Sequence, residues 1–207
     1  PPSLDNFVPG GNGEALAALT AWLAGAGSEC SLCLWGEAGS GCSHLLKASD
    51  FAYVDAAGDP SLATAAPGDA LAVDHVQALD QRGQIALFNH FNRLKAAGGR
   101  LLTAALQPPA HLPLREDLRT RLGSGLIYRL QPLSDAEKSS AIANQARERA
   151  LKLAPEAIAY LLRHAPRDMR TLSAFVVALD RYTLEHKRAV TLPLLRELLH
   201  APLETTS

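Results

Sequence analysis

Apolar and polar positions follow two regimes along this chain. Up to about Leu130, short apolar runs alternate with segments of helical period; beyond Pro132 only the helical period remains. Ser31 to Trp35, Ala70 to Asp74 and Arg100 to Ala105 have the length and composition of buried strands, and Phe51 to Val54 and Leu126 to Leu130 add two more. Between them, Leu16, Leu19 and Leu23 recur at helical spacing over Glu14 to Ala24. Ile85, Leu87, Phe88, Phe91 and Leu94 line one face of a helix over Gln84 to Ala96. Gly25-Ala26-Gly27 and Gly98-Gly99 stop these two helices. A shorter helical pattern carries Arg115, Arg119 and Arg121. Strands alternating with helices predict an α/β domain built on a parallel sheet, residues 1–131.

The rest, residues 132–207, reads as a small all-helical domain. Ser134 followed by Glu137 is a capping box opening a helix that runs to about Lys152. Pro155 starts a second, through Tyr160 and Leu161 to His164. Asp168 to Glu185 forms a third, with Met169, Leu172, Phe175, Val176 and Leu179 inward. Thr191 caps a fourth whose apolar face is Leu194, Leu195, Leu198 and Leu199.

One connection is too short for its place. His44 to Ala48 gives little more than one helical turn before the strand at Phe51, whereas a crossover between parallel strands takes about a dozen residues or more. Either a short turn replaces the usual helix, or residues between Ala48 and Ser49 are absent; the helix has no ending signal, which favours the second.

Composition narrows the classes. With 47% hydrophobic residues in 207, the chain buries a sizeable core. A net charge of -1 removes the global basic field that direct nucleic-acid binding would use. No apolar run reaches transmembrane length, and Pro1-Pro2-Ser3-Leu4-Asp5 has neither the basic start nor the apolar core of a secretory signal. Cys30, Cys33 and Cys42 make no disulfide framework. The Cys30–Cys33 pair has no second pair or histidine pair at zinc spacing, so buried or half-buried thiols and a cytoplasmic location are expected, with a metal or redox pair as the alternative.

The chemistry concentrates in Leu34-Trp35-Gly36-Glu37-Ala38-Gly39-Ser40-Gly41-Cys42-Ser43-His44. This is a glycine-rich loop between a strand and a helix, the setting of a phosphate-binding P-loop, with Cys42 in the lysine slot. The glycines let backbone N–H groups turn toward phosphate oxygens, and the helix start adds its dipole. Ser43 supplies the hydroxyl that would hold Mg²⁺, and Asp74, at the carboxyl end of its strand, would face it. His75 follows where a hydrolytic enzyme of this kind would carry a second acid, and Leu106 follows the next strand where a polar sensor of the terminal phosphate would stand. The alternatives are a ligand-free turn for the loop and a helix cap for Asp74. A thiol at a helix start can also have a lowered pKa, which would make Cys42 reactive.

An α/β P-loop domain followed by a helical lid resembles the AAA+ proteins. Leu4-Asp5-Asn6-Phe7-Val8 with Asn12, the glycine loop, Val73-Asp74 and Leu118-Arg119-Thr120-Arg121-Leu122 resemble segments of the bacterial replication initiator DnaA. Tyr128 to Asp135 and Arg167 to Leu172 look most like Hda, the DnaA-related regulatory inactivator, which lacks the DNA-binding domain of DnaA; the resemblance likewise reaches Ser207 with no helix-turn-helix after the lid. It implies that Phe7, Val8, Gly36, Glu37, Ala38, Gly39, Ser40, Gly41, Cys42, Ser43 and His44 surround ADP or ATP, that Ser43 and Asp74 hold any Mg²⁺, that Arg170 reaches the nucleotide from the lid, and that Arg121 is an arginine finger lent in trans to DnaA. It also implies the DNA sliding clamp as a partner, through a short N-terminal peptide of glutamine and apolar residues that would precede Pro1, and it leaves self-association open. Cys42, His75 and Leu106 depart from the family pattern, so a site holding ADP or no nucleotide is expected, in a protein that activates a partner's hydrolysis rather than its own. Alternative readings are an active DnaA-like ATPase and a non-catalytic AAA+ adaptor.

Overall fold

The computed structural model describes residues 2–166, 168–186 and 190–200. It divides into two compact units, 1–132 and 133–207.

In the N-terminal unit, strands β1 (Ser31–Trp35), β2 (Ala52–Asp55), β3 (Ala70–Asp74), β4 (Arg100–Ala105) and β5 (Leu126–Arg129) form one sheet in the order β2-β3-β4-β1-β5. Every neighbouring pair is parallel. Parallel strands must be covered on both faces, and the period of two sorts the side chains accordingly. Leu32 and Leu34 of β1, Ala72 of β3, and Leu102 and Ala104 of β4 pack beneath α1 (Gly13–Leu23) and α2 (Cys42–Lys47), with Leu19, Trp22, Leu45 and Leu46. Leu71 and Val73 of β3 and Leu101 and Ala105 of β4 face the other way. They meet Leu87, Phe91 and Leu94 of α3 (Gln81–Ala97) and Leu118 and Leu122 of α4 (Glu116–Gly123). Truncating any of the fully buried leucines to alanine would cost about 2–5 kcal/mol.

The short connection after the glycine loop closes without an insertion. α2 has six residues. It ends as the Ala48 N–H reaches back to His44 O and the Ser49 hydroxyl donates to Leu46 O, and Asp50 turns the chain in the left-handed region at φ 60°. The ending signal is a serine hydroxyl bonding back to a carbonyl, which apolar periodicity does not register.

Two boundaries differ from the sequence expectation by three residues or more. α3 begins three residues earlier than its first apolar positions suggest, because Asp80 caps it by accepting from the Gly83 N–H at 2.7 Å. In the C-terminal unit α5 (Asp135–Glu148) stops before Lys152, where Ala150 takes φ 55° and the Leu151 N–H returns to Ala146 O.

That unit packs α5, α6 (Pro155–His164), α7 (Met169–His186) and α8 (Leu192–His200) around Ile142, Ile158, Leu161, Leu172, Phe175, Val176 and Leu179. Its first helix carries the full reciprocal cap: the Glu137 N–H donates to Ser134 Oγ, and the Ser134 N–H donates to the Glu137 carboxylate. Asp168 caps α7 through the Thr171 N–H at 2.8 Å. Arg167 and the side chain of Leu198, both singled out from sequence, lie outside the described residues.

Candidate functional site

The glycine loop connects β1 to α2 at the carboxyl edge of the sheet, the edge at which open parallel sheets bind ligands. Gly36 anchors it. Its N–H donates to Ala105 O at 3.1 Å, and a Cβ placed on it would lie 2.3 Å from Leu130 O and 2.8 Å from Ser40 Oγ. Gly39 and Gly41 take φ 85° and 98°, conformations open mainly to glycine. Gly41 is the N-cap of α2 and no side chain caps that helix, so the amides of its first turn are left for another acceptor. An anion of phosphate type fits that need.

Phe7 of the N-terminal arm lies directly on this loop: a Cβ on Gly41 would come within 2.6 Å of its ring. His44 faces the same ring at 5.5 Å between centroids, and its Nε2 is 2.9 Å from Ser3 O. The arm thus clamps onto the start of α2, which brings Phe7 together with Gly41 and His44. Val8 beside it is half-buried, Glu37 and Ala38 are exposed, and Ser43 is half-buried.

Cys42 does not reach out of the loop as a lysine would. It is buried beneath it, with Sγ 3.4 Å from the buried Ser40 Oγ. Burial pushes its thiol up to about 11 and the nearby Asp74 carboxylate adds to the rise, while the Ser40 hydroxyl works against it. The lowered pKa that a helix start would give is therefore overturned: desolvation outweighs the dipole of a six-residue helix. Cys33, inside the sheet, is pushed by burial up to about 12. Cys30 is half-buried, and all three thiols are free.

At the ends of β2 and β3, Asp55 and Asp74 stand opposite each other in register. His75 is a partner of both carboxylates. Asp74 Oδ2 accepts from the Tyr53 hydroxyl at 2.9 Å and Oδ1 accepts from the His75 N–H at 2.9 Å. Asp55 Oδ1 meets His75 Nδ1 at 2.8 Å. Burial alone would raise the Asp55 pKa, but the hydrogen bonds from His75 and the Ala57 N–H, with the charges of His75 and Lys47, hold it below the usual carboxylate range. Burial and Asp74 keep the Tyr53 hydroxyl protonated far above its ordinary range. The side chain in the position of the second acid is thus turned onto Asp55, on a backbone at φ 50° that few non-glycine residues adopt. Leu106, in the sensor position, is 48% exposed and offers no polar atom.

These residues do not fit Mg²⁺. The Asp74 side chain is 2% exposed with both oxygens already bonded. Among the described residues no group of three or more His, Cys, Asp or Glu side chains is arranged around a common point for a metal. The Asp74 carboxylate expected to hold Mg²⁺ with Ser43 is buried, and each of its oxygens accepts a hydrogen bond from the protein. The amide-lined loop suits phosphate, while Cys42 stands where a lysine would reach the outer phosphates and His75 where an acid would activate water.

Arg121 belongs to a different face. Its guanidinium lies over the rings of Phe88 and Phe91 of α3, at 5.6 and 6.0 Å from their centroids. Beside it an open depression of about 680 Å³ is lined by Phe88, Arg115, Glu116, Asp117, Thr120 and Arg121; none of these is a loop residue. Arg115 is paired with Asp117 at 2.8 Å, whereas Arg121 rests on aromatic faces. Arg170 is exposed on the first turn of α7 in the C-terminal unit. Tyr53, Asp55, Phe88 and Phe91 were not singled out from sequence as site residues. The register of β2 against β3 and a helix-to-helix contact place them, and neither leaves a local motif.

The strand order, the glycine loop at the carboxyl edge and the separate helical unit are those of the AAA+ fold. Residues 135–199 match the family described as Hda, lid domain. The chain is similar to domain III of the replication initiation protein DnaA of Thermotoga maritima, at 22% identity and a TM-score of 0.72 over 97% of each chain. It is also similar to AMPPCP-bound DnaA from Aquifex aeolicus, at 24% identity and 0.69 over 90% of this chain and 68% of that one, and to the Thermotoga maritima RuvB Holliday junction branch migration motor, at 18% and 0.65 over 95% and 70%. At these identities the likeness is one of fold. The C-terminal unit is thus similar to the Hda lid domain, and the whole chain is similar in fold to domain III of DnaA. Among the described residues no helix is long and apolar enough to cross a membrane.

Proposed function

We propose that this chain is a DnaA-related regulator of replication initiation that acts on DnaA in trans, using Arg121 to promote hydrolysis of the ATP that DnaA holds. The observation that carries the reading is the state of Arg121. It rests on two aromatic rings and, among the described residues, has no carboxylate partner, so its charge stays available to a phosphoryl group on a neighbour. An arginine supplied across an interface is worth roughly 10³–10⁵ in rate in related phosphoryl transfers.

The chain's own loop, on this reading, holds ADP or stays empty. Cys42 brings no ammonium, His75 is engaged with Asp55, and Leu106 has no polar group for a terminal phosphate. The likeness to a DnaA that binds AMPPCP supports a nucleotide at this loop. The resemblance to Hda adds the DNA sliding clamp as a second partner. An active ATPase is disfavoured by the same three residues.

The test is ATP hydrolysis by purified DnaA with and without this chain, loaded on the clamp. Arg121→Ala should lose roughly a hundredfold or more of the stimulation while keeping the far-UV spectrum and melting temperature of the parent. Undiminished stimulation by Arg121→Ala would leave the adaptor reading in its place.

A further inference from the structure

The reading of the glycine loop as a nucleotide site leaves open what Asp74 does, and its surroundings are specific. The side chain is 2% exposed. Tyr53 of the edge strand β2 donates to one oxygen and the backbone N–H of His75 to the other, each at 2.9 Å. The His75 imidazole flanks the second oxygen at 3.7 Å and is itself drawn to Asp55 at 2.8 Å. On the loop side the Cys42 thiol fills the place from which a lysine would extend, bonded down to Ser40.

Mg²⁺ demands near-octahedral geometry at about 2.0–2.1 Å and keeps several of its waters. A carboxylate that helps to hold such an ion, directly or through water, needs an open side wide enough for part of that hydrated shell. Asp74 has none: strand β2 closes it through Tyr53, and the turn after β3 closes it through His75. The same bonds give the residue a different use. β2 is an edge strand of four residues, paired only with β3. The Tyr53–Asp74 bond adds a side-chain cross-link to that short ladder, and the His75 N–H bond fixes the left-handed turn that follows.

We propose that the loop takes a free nucleoside diphosphate without a divalent cation, and that Asp74 serves instead as a structural tie between β2 and the turn after β3. This rests on the loop being a nucleotide site at all. The amides at the start of α2 then carry the phosphate charge by themselves. Because Mg²⁺ chelates the diphosphate in solution, added Mg²⁺ competes with the protein for it.

The experiment is an ADP titration of the full chain by calorimetry, in excess EDTA and in millimolar Mg²⁺, with Mn²⁺ paramagnetic resonance on the same samples. The expected result is ADP binding no tighter in Mg²⁺ than in EDTA, and no protein-bound Mn²⁺ beyond that carried by free ADP. Binding at least tenfold tighter in Mg²⁺, with a protein-bound Mn²⁺ signal that Asp74→Asn removes, would overturn the proposal. If ADP binds in neither condition, the nucleotide reading of the loop fails and the diphosphate part falls with it. Mn²⁺ added alone then decides the role of Asp74, since an Asp74-dependent signal refutes the tie and its absence upholds it. Tyr53→Phe gives an independent readout. As a tie it lowers the melting temperature by about 3–8 °C equally with and without Mg²⁺, from the loss of one charge-assisted hydrogen bond. An unchanged melting temperature speaks against the tie.

Discussion

Asn12 and the backbone of Gln131 form a closed pair of hydrogen bonds across most of the N-terminal unit. The Asn12 side-chain NH₂ donates to Gln131 O and the Gln131 N–H donates to Asn12 Oδ1, both at 2.8 Å. Asn12, only 4% exposed, acts as one residue of an extra strand, supplying a donor and an acceptor in the geometry of a peptide group. The segment after β5 is thereby fixed to the start of α1.

Removing that pair should be costly. Asn12→Ala leaves two backbone groups of Gln131 without their partners, a loss of about 2–4 kcal/mol. The N-terminal unit should melt roughly 5–12 °C lower. Asn12→Asp keeps an acceptor for the Gln131 N–H but sets a carboxylate against the Gln131 carbonyl, so it should rescue none of the loss. A thermal scan of both variants checks this.

Phe88 should matter for the action on DnaA more than for folding. It is half-buried on α3 and holds the Arg121 guanidinium at 5.6 Å from its ring. Phe88→Leu keeps apolar volume but removes the aromatic face. Stimulation of DnaA should fall by about three- to tenfold, corresponding to roughly 1 kcal/mol of lost cation–π positioning, with stability changed by less than that of a core truncation. Dose–response curves of the stimulated rate distinguish weaker docking from a slower step.

Alkali should destabilise the chain through its buried thiols. The unfolded chain releases the Cys42 proton near the ordinary value of 9.0, whereas the folded chain holds it up to about 11, and Cys33 up to about 12. Between those values the unfolded state binds fewer protons, so stability is complete below pH 9 and falls as pH rises toward 11–12. Each thiol is worth up to about 3–4 kcal/mol. Denaturant midpoints measured from pH 8 to 11 should fall, and should fall less in Cys42→Ala once its neutral-pH cost is subtracted. At pH 8 a maleimide should modify Cys30 well ahead of the other two.

Gly36→Ala should disrupt the loop at its root. The added methyl meets the Leu130 carbonyl at 2.3 Å and Ser40 Oγ at 2.8 Å, and the first of these is backbone that cannot swing aside. A loss of about 2 kcal/mol or more is expected, with a matching loss of ADP binding. Gly39→Ala meets no atom within 4 Å but must hold φ 85°, so its cost should be nearer 1 kcal/mol. Comparing the two separates crowding from backbone strain.

Much of this was legible along the chain. β1, β3 and β4 are apolar runs bounded by glycine or an acid, and they match their expected limits because a strand buried on both faces leaves a continuous signal. The capping box at Ser134 and the proline at the start of α6 fixed those helix starts, since both act through neighbours a few residues away. The start of α3 was missed because Asp80 caps it ahead of any apolar residue. The glycine loop was legible, but not that Cys42 folds under it, because burial of one thiol depends on Ser40 and the sheet beneath. Nor did Asp74 announce its partner. Tyr53 comes to it only because β2 pairs with β3 in one register, and a shift of one residue would turn the ring to the opposite face.

The order of the strands also governs how this chain can be born. β1 lies between β4 and β5, so Ser31 and Leu32 wait for Leu101 and Leu102 before either has a neighbour, and for Leu126 before Leu32 has its second. While a ribosome is still making the middle of the chain, β1 is an orphan apolar segment. The sheet assembles from the β2–β3 side only when β4 emerges, which makes folding slow and leaves Leu32 and Leu34 open to misassociation. Production at lower temperature, or with a chaperone present during synthesis, should therefore raise the yield of folded chain more than any change made after release.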